Sequence, residues 1–410
     1  MSVRFLHAAD LHLGLRITRF EESACNRIGE ARFAAIETLR AKALEHRVDF
    51  VLIAGDLFDD HSVSGAVSER AFTLFEGKAM PCPVYIIPGN HDPLAPGGVW
   101  DRGPWTREQP TKNVRLLREP VPVDVPNMPV TIFPCPLRNR NSIDDPTGWM
   151  VNHPRLPGDR TIRIGLAHGS LRIMPNLPED DHLIRPDAAQ HHGLDYLALG
   201  HWHKPFRHRS ADGVERTAYS GTHEPMRFPG SGASVSTGWS SFSADGDAER
   251  FQDEGFGVAQ VVSIEEAGAS PQIETIEVGK LHWIAEHRDV TTHPLGEIIS
   301  EFGSDKKDQE LTVLRLTLSG VLEPAQHARI DTVLREIVCN RYCPGSSLEA
   351  TRVLVQPKSE ELQNIVGDGV LARVLARLQQ DSLSSDLSAK RVADHALKLL
   401  YRIAWEGQAQ

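Results

Sequence analysis

Five short motifs carry residue types suited to phosphate chemistry on metal ions: Asp10-Leu11-His12, Gly55-Asp56-Leu57-Phe58-Asp59, Gly89-Asn90-His91-Asp92, His168-Gly169 and Gly200-His201-Trp202-His203. Carboxylate, carboxamide and imidazole donors without thiolate suit borderline-hard divalent ions such as manganese, iron or zinc, and one carboxylate can bridge two of them. Two ions about 3.5–4 Å apart can hold a hydroxide and clamp the oxygens of an in-line displacement at phosphorus. Asp10, His12, Asp56, Asn90, His168, His201 and His203 supply seven donors, about what such a pair needs with water completing the shells. His91 adjoins the donor Asn90 and is placed to face a substrate, where an imidazole can give a proton to a leaving alkoxide. Any one of these residues alone more often caps a helix or bonds a loop. Five motifs in order, each directly after an apolar run, make coincidence improbable.

The elements that must position them can be read from the same sequence. Apolar runs at Val3–Ala9, Asp49–Ala54, Pro83–Ile87, Val114–Leu117, Val130–Phe133, Arg163–Ala167 and Asp195–Leu199 predict strands. Helical spacing over Arg27–His46 (Ile28, Ala31, Ala35, Leu39, Ala43) and over Ser68–Glu76 predicts the helices between them. This alternation predicts an α/β or αββα layered domain. The carboxyl ends of neighbouring strands share one sheet edge, so motifs about 190 positions apart can meet there. Spacing by two in Asp10/His12 and His201/His203 sends both side chains to one side, and Gly55, Gly89 and Gly200 permit the turns. Pro93–Pro110 and Leu137–Asp159, rich in Gly, Pro and Asn, read as long loops.

Beyond about residue 205 the texture changes. A flexible Gly/Ser-rich stretch is expected over 229–247, followed by a strand pair, Gly257–Ile264 and Gln272–Val278, that closes the sheet. The main domain is therefore expected over 1–280. A helix-strand-helix-strand pattern (Pro294–Phe302, Leu311–Leu318, Glu323–Cys339, Thr351–Val355) predicts a smaller α/β cap domain over 281–358. A C-terminal helical segment is expected over 359–410, with Leu362, Val366, Val370, Val374 and Leu378 on one face, then Leu387, Val392, Leu399, Leu400 and Ile403.

Composition bounds the function. With 410 residues, 40% hydrophobic and 24% charged, the chain has ordinary globular make-up, which excludes disorder and fibres. It lacks an apolar run long enough to span a membrane and a secretory pattern at Met1–Asp10, so a cytoplasmic protein with no membrane association is expected. Five scattered cysteines suggest neither a disulfide framework nor a thiolate metal site. A net charge of -11 argues against coating nucleic acid by bulk electrostatics, yet it leaves a nuclease open, because bound metal ions supply local positive charge. The sequence has no G-x-x-x-x-G-K-[ST] phosphate loop, so any ATP-driven step falls to another chain.

The pattern D-x-H, GD-x-x, GNH-D/E, H and GH-x-H resembles the calcineurin-like metallophosphoesterase superfamily. Ala8–Gly14, Ile53–Asp59 and Ala198–His203 more narrowly resemble DNA repair exonucleases of the SbcD and YhaO type, bacterial relatives of the meiotic recombination eleven nuclease, over about residues 1–225. The resemblance implies a four-layer αββα metallophosphoesterase sandwich with two divalent ions, Mn2+ foremost. One ion would be held by Asp10, His12, Asp56 and His203, the other by Asp56, Asn90, His168 and His201, with Asp56 as the bridge. It implies a catalytic role for His91 without tight ligation, and makes His61, at a different offset, a candidate second active-site histidine. It implies a dinuclear DNA exonuclease with single-strand endonuclease activity in double-strand-break repair, whose C-terminal helices dock on a separate SbcC-like ATPase. A homodimer is expected of this layout. The rival expectations are a phosphoesterase acting on a small phosphodiester or a phosphoprotein, and a non-catalytic interaction scaffold. Lys204, Arg207, His208 and Arg209, directly after the last donors, read either as DNA phosphate contacts or as a solvated basic turn, as do Arg138 and Arg140; Trp202 either packs on the sheet edge or stacks on a base.

Overall fold

A computed structural model describes residues 2–17, 20–76, 80–106, 113–228, 257–355 and 369–408 of the chain. It divides into two compact units, Met1–His282 and Trp283–Gln410.

The first unit is built on two six-stranded sheets. One runs in the order Gln272–Glu277, Val258–Ile264, Val3–Ala8, Phe50–Ala54, Val84–Ile87, Val114–Leu116; the other in the order Val123–Asp124, Val130–Pro134, Ile162–His168, Tyr196–Gly200, Thr217–Tyr219, Phe206–His208. The central strands of both sheets are parallel, with Phe5 opposite Phe50, Val51 opposite Val84 and Ile164 opposite Tyr196. Their near-continuous apolar sequences are what parallel strands covered on both faces require. Alternate residues sort by face. Leu6, Val51, Ile53 and Ile86 pack on Phe33, Ile36 and Leu39 of helix Glu22–Glu45 and on Phe72 and Phe75 of helix Gly65–Phe75. Phe5, Phe50, Leu52 and Tyr85 meet Ile132, Ile162, Ile164 and Tyr196 in a core between the sheets. The outer face of the second sheet buries Phe133, Ala167, Leu197 and Leu199 against Met150 and the short helix Ala188–His191. The result is a mixed α/β sandwich, and a slip of one residue in any central strand would exchange its two cores. The strand pair at 258–277 closes the first sheet antiparallel to Val3–Ala8.

The second unit has a three-stranded sheet in the order His282–Asp289, Thr312–Leu322, Ser347–Val355, the last two parallel. Leu295, Ile298 and Phe302 of helix Leu295–Gly303 share its core with Leu316, Leu318, Leu334 and Val338. Strand His282–Asp289 escaped the sequence reading because Trp283 is its one fully buried residue and the rest is largely polar, as an edge strand permits. The helix expected over Glu323–Cys339 is two helices, Pro324–Arg329 and Arg335–Arg341, joined by a π-helical turn at Ile330–Leu334. Helices Val370–Ser382 and Leu387–Gln408 bury Leu375, Leu400 and Tyr401 against Val321, and leave Val370, Leu371, Val374, Leu383, Leu387, Val392 and Ile403 exposed. Leu362, Val366 and the Gly/Ser stretch at 229–247 lie outside the described residues. Among the described residues no helix is long and apolar enough to cross a membrane.

Candidate metal centre

Parallel strands bring the five motifs to one edge of the sandwich. The turn after strand Val3–Ala8 is zipped to the turn after Phe50–Ala54: Asp10 N–H donates to Gly55 O at 3.2 Å, His12 N–H to Asp56 O at 3.0 Å and Leu13 N–H to Leu57 O at 2.9 Å. Four candidate donors sit at positive φ, Asp10 at 54°, His12 at 43°, Asp56 at 50° and His201 at 101°, conformations that side-chain-bearing residues rarely adopt. Glycine makes room where backbone approaches donor: a Cβ on Gly89 would lie 2.2 Å from Asp56 Oδ1, and one on Gly200 would lie 2.0 Å from Ala54 O.

A buried polar layer supports this strained turn. Arg32 donates to Leu11 O at 2.9 Å, Asp10 O at 3.4 Å, Glu224 O at 3.0 Å and Thr222 Oγ1 at 3.3 Å. The Thr222 hydroxyl reaches Asp10 O at 2.8 Å, and the Glu224 carboxylate accepts from the backbone of Lys280 and Leu281. Asp92 accepts from Gly89 N and Phe58 N, tying the third motif to the second.

The donor atoms converge from both sheets. His12 Nε2 lies 3.1 Å from His203 Nε2 and 3.8 Å from Asp56 Oδ2. His168 Nε2 lies 3.3 Å from Asp56 Oδ2 and 2.8 Å from Asn90 Oδ1, which is 3.1 Å from His201 Nδ1. The His201 backbone N–H donates to both carboxylate oxygens of Asp10, at 3.0 and 3.1 Å. Neighbouring donors on an ion with bonds of about 2.1 Å stand about 3.0–3.4 Å apart, so these separations fit coordination edges. Three groupings have donor atoms mutually within 4.8 Å: Asp10, His12 and His203; Asp10, Asp56 and His168; and His12, Asp56 and His91. The donor set is thus chemically and geometrically suited to two divalent ions.

Charge points the same way. Burial works to raise the Asp56 carboxyl, but His168, His12 and His91 around it bring it below the usual carboxylate range. Burial alone would lower His168, yet Asp56 and Asp10 lift it to about 9. His168 is the exception in this set: an ion held there would have to displace the proton that Asp56 and Asp10 retain on it. Burial, with the His12 imidazole next, holds His203 well below its ordinary value, leaving it neutral as a ligand must be.

His91 sits at the side of this cluster. Its backbone N–H donates to Asp56 Oδ1 at 2.8 Å, its Nδ1 lies 2.8 Å from Asp59 O, and its ring stands edge-on to His12 at 4.7 Å. Because a carbonyl only accepts, Nδ1 carries the proton and Nε2 is the ring atom left for exchange. His61 is not drawn in: its side chain is half exposed and its ring lies 3.6 Å from Asp60. The basic stretch is largely engaged elsewhere, with Arg207 on Thr275 Oγ1 at 3.0 Å and Arg209 on Glu215 at 2.9 Å; Lys204 and His208 are partly buried beside them. Arg138 pairs with Glu119 at 2.8 Å, while Arg140 is exposed. Trp202 is buried, stacked on Tyr219 at 4.3 Å and bonded to Ser170 Oγ, so it packs on the sheet and is withdrawn from any base. Sequence reasoning passed over Arg32, Thr222, Glu224 and Asp181. Thr222 and Glu224 follow the strand at Thr217–Tyr219 without a motif to mark them, and Asp181 lies in a loop without pattern.

Residues 3–205 match the family described as calcineurin-like phosphoesterase. Among curated proteins, the chain is 30% identical over 241 residues to the "Uncharacterized metallophosphoesterase YhaO" of Bacillus subtilis, covering 55% of this chain and 52% of that protein. It is 25% identical over 233 residues to the "DNA double-strand break repair protein Mre11" of Methanopyrus kandleri, covering 55% and 50%. A shorter stretch of 94 residues is 31% identical to a subunit of the nuclease SbcCD of Rhodobacter capsulatus, covering 22% of each. The chain spans about half the length of the first two relatives.

Proposed function

Residues 3–205 belong to the calcineurin-like phosphoesterase family, and from that premise we propose that the chain is a dinuclear metal-dependent DNA nuclease. One observation carries the reading. Seven donors from both sheets meet with separations suited to two ions, and a histidine with one uncommitted ring nitrogen stands beside them. Asp10, His12, Asp56 and His203 would hold one ion and Asp56, Asn90, His168 and His201 the other, with Mn2+ as the supporting metal. Bound there, the ions supply a nucleophilic hydroxide at neutral pH and neutralise charge on the phosphoryl oxygens.

The chain's own residues do the rest. Asp59 O holds His91 Nδ1–H, which leaves Nε2 for exchange: the imidazolium form gives its Nε2 proton to the departing alkoxide and returns to the neutral Nδ1–H ring. Asp92 and the backbone pairing of Asp10, His12 and Leu13 with Gly55, Asp56 and Leu57 keep the donors in place, so the site needs little reorganisation during turnover. The names of the relatives from M. kandleri and R. capsulatus favour DNA as substrate and break repair as setting. The R. capsulatus relative is named as one component of a larger nuclease, and this chain has no phosphate loop, which favours an SbcC-like ATPase as a separate partner. The exposed apolar side chains of the two terminal helices are where that partner would dock, and the working form would be a homodimer.

A second reading, hydrolysis of a small phosphodiester, is favoured by the ion pairs of Arg209 with Glu215 and of Arg138 with Glu119, which partly neutralise two of the cations next to the motifs. End-labelled linear duplex DNA and bis-p-nitrophenyl phosphate, each incubated with the protein and manganese, separate the two. Manganese-dependent release of nucleotides from DNA is expected; brisk turnover of the small ester with intact DNA would move the substrate class.

A further inference from the structure

Asp181 belongs to none of the five motifs and to no strand, yet its side chain reaches a candidate ligand. Its Oδ1 lies 3.0 Å from His201 Nε2, and its Oδ2 accepts from Ser170 Oγ at 2.5 Å. The other ring nitrogen of the same histidine, Nδ1, faces Asn90 Oδ1 at 3.1 Å. Asp181 Oδ1 and Asn90 Oδ1 both only accept, and a neutral ring has one proton to give; the charged carboxylate is the stronger acceptor and takes it at Nε2, which leaves the Nδ1 lone pair to share an ion with Asn90 Oδ1.

The placement of Asp181 is built into the fold. Ser142 N–H donates to Asp180 O at 2.9 Å, His182 N–H donates to Ser142 O at 3.1 Å, and Ser170 N–H reaches Asp181 O at 3.4 Å. His182, next in sequence, takes a positive φ of 51°, and Gly169 packs so closely that a Cβ there would lie 2.2 Å from His182 O. The residues on either side of the Asp181 side chain are thus pinned to the loop at 140–142 and to the turn that follows ligand His168. His168 has its outer nitrogen oriented from a motif strand, Nδ1 by Ala54 O at 2.8 Å, whereas His12 Nδ1 lies 3.2 Å from Asp59 Oδ1 without a hydrogen bond. His201 takes its partner from a loop that carries no motif.

We propose that Asp181 is a positioning residue for the second metal position: by holding Nε2–H of His201 it fixes the tautomer and ring orientation in which Nδ1 ligates beside Asn90 and His168. The proposal rests on the dinuclear reading above. Outer partners of this kind set metal affinity by about 10–100-fold.

The test is a manganese titration of the full chain by calorimetry, with low-temperature EPR of the same samples. Wild type is expected to bind two ions and to give the spectrum of an exchange-coupled manganese pair. Asp181→Ala should weaken one binding step by about 10–100-fold, leave the other unchanged, and show the six-line spectrum of a single ion at concentrations that fill both sites in wild type. Asp181→Asn, which keeps an acceptor but no charge, should fall between; it also serves if the alanine variant does not fold. Two unchanged binding steps in the folded variant, or an equal loss in both, would overturn the positioning role. Failure of wild type itself to bind a second ion would instead overturn the dinuclear reading.

Discussion

Residues 200–203 and residues 204–209 are adjacent in sequence and opposite in fate. His201 and His203 follow a central strand, Tyr196–Gly200, which is buried throughout and parallel to Ile162–His168. Its register fixes where it ends, and the chain turns there into the donor cluster. Arg207 lies on Phe206–His208, the outermost strand of the same sheet, and Arg209 follows it; their side chains take nearby partners, Thr275 and Glu215. A strand end inside a sandwich is specified by two cores at once, whereas an edge strand leaves the destination of a long cation to local pairing. The first kind of residue can be assigned from pattern; the second cannot.

Breaking the centre should have the largest effect. Asp56→Ala removes the carboxylate shared by both donor groups and the acceptor for His91 N–H. It should abolish metal loading at both positions and turnover with it, as metal analysis of the purified variant would reveal; retention of two ions would show that Asp56 is not the bridge. His91→Ala comes next. Metal content should stay near that of wild type while turnover falls by about 10²–10⁴-fold, the usual share of a proton donor. Loss of metal would make His91 a ligand, as its place within 4.8 Å of His12 and Asp56 donors allows.

A smaller effect tests the layer beneath Asp10. Glu224 is fully buried, and burial raises its carboxyl to about 7 against the pull of Lys280 N–H, the Arg32 charge and Leu281 N–H. Between its ordinary value of 4.5 and about 7 the folded chain holds a proton that the unfolded chain has released. Stability from this group is therefore present at low pH and lost as pH rises through that window. Glu224→Gln should flatten this slope in urea unfolding curves measured from pH 4.5 to 7.5, at a cost of about 1–3 kcal/mol where its amide meets a backbone N–H. An unchanged slope would mean that another group titrates. Smallest of all, Arg209→Ala removes an exposed pair with Glu215 and should shift stability by less than about 0.5 kcal/mol, with little change in DNA affinity. A tenfold loss of DNA binding would erase the contrast between strand end and edge.

The same contrast explains what could be read in advance. Apolar runs such as Phe50–Ala54 announced the sheets, and the motifs at their ends announced which side chains meet. Asp181, Arg32 and Glu224 carried no such signal, because their partners, His201, the Asp10–Leu11 carbonyls and the Lys280–Leu281 backbone, lie far off in sequence and join them only through tertiary packing. Trp202 was ambiguous for the same reason: whether an aromatic faces core or solvent depended on Tyr219 and Ser170 arriving beside it. The edge strand His282–Asp289 was hidden by its polar face.

The central claim is that two sheets jointly build one dinuclear centre. Anomalous diffraction from a manganese-loaded crystal tests it most directly. Two peaks about 3.5–4 Å apart are expected, one against His12 and His203, the other against Asn90, His168 and His201, with Asp56 between them. A single peak, or manganese bound away from Asp56, would contradict it.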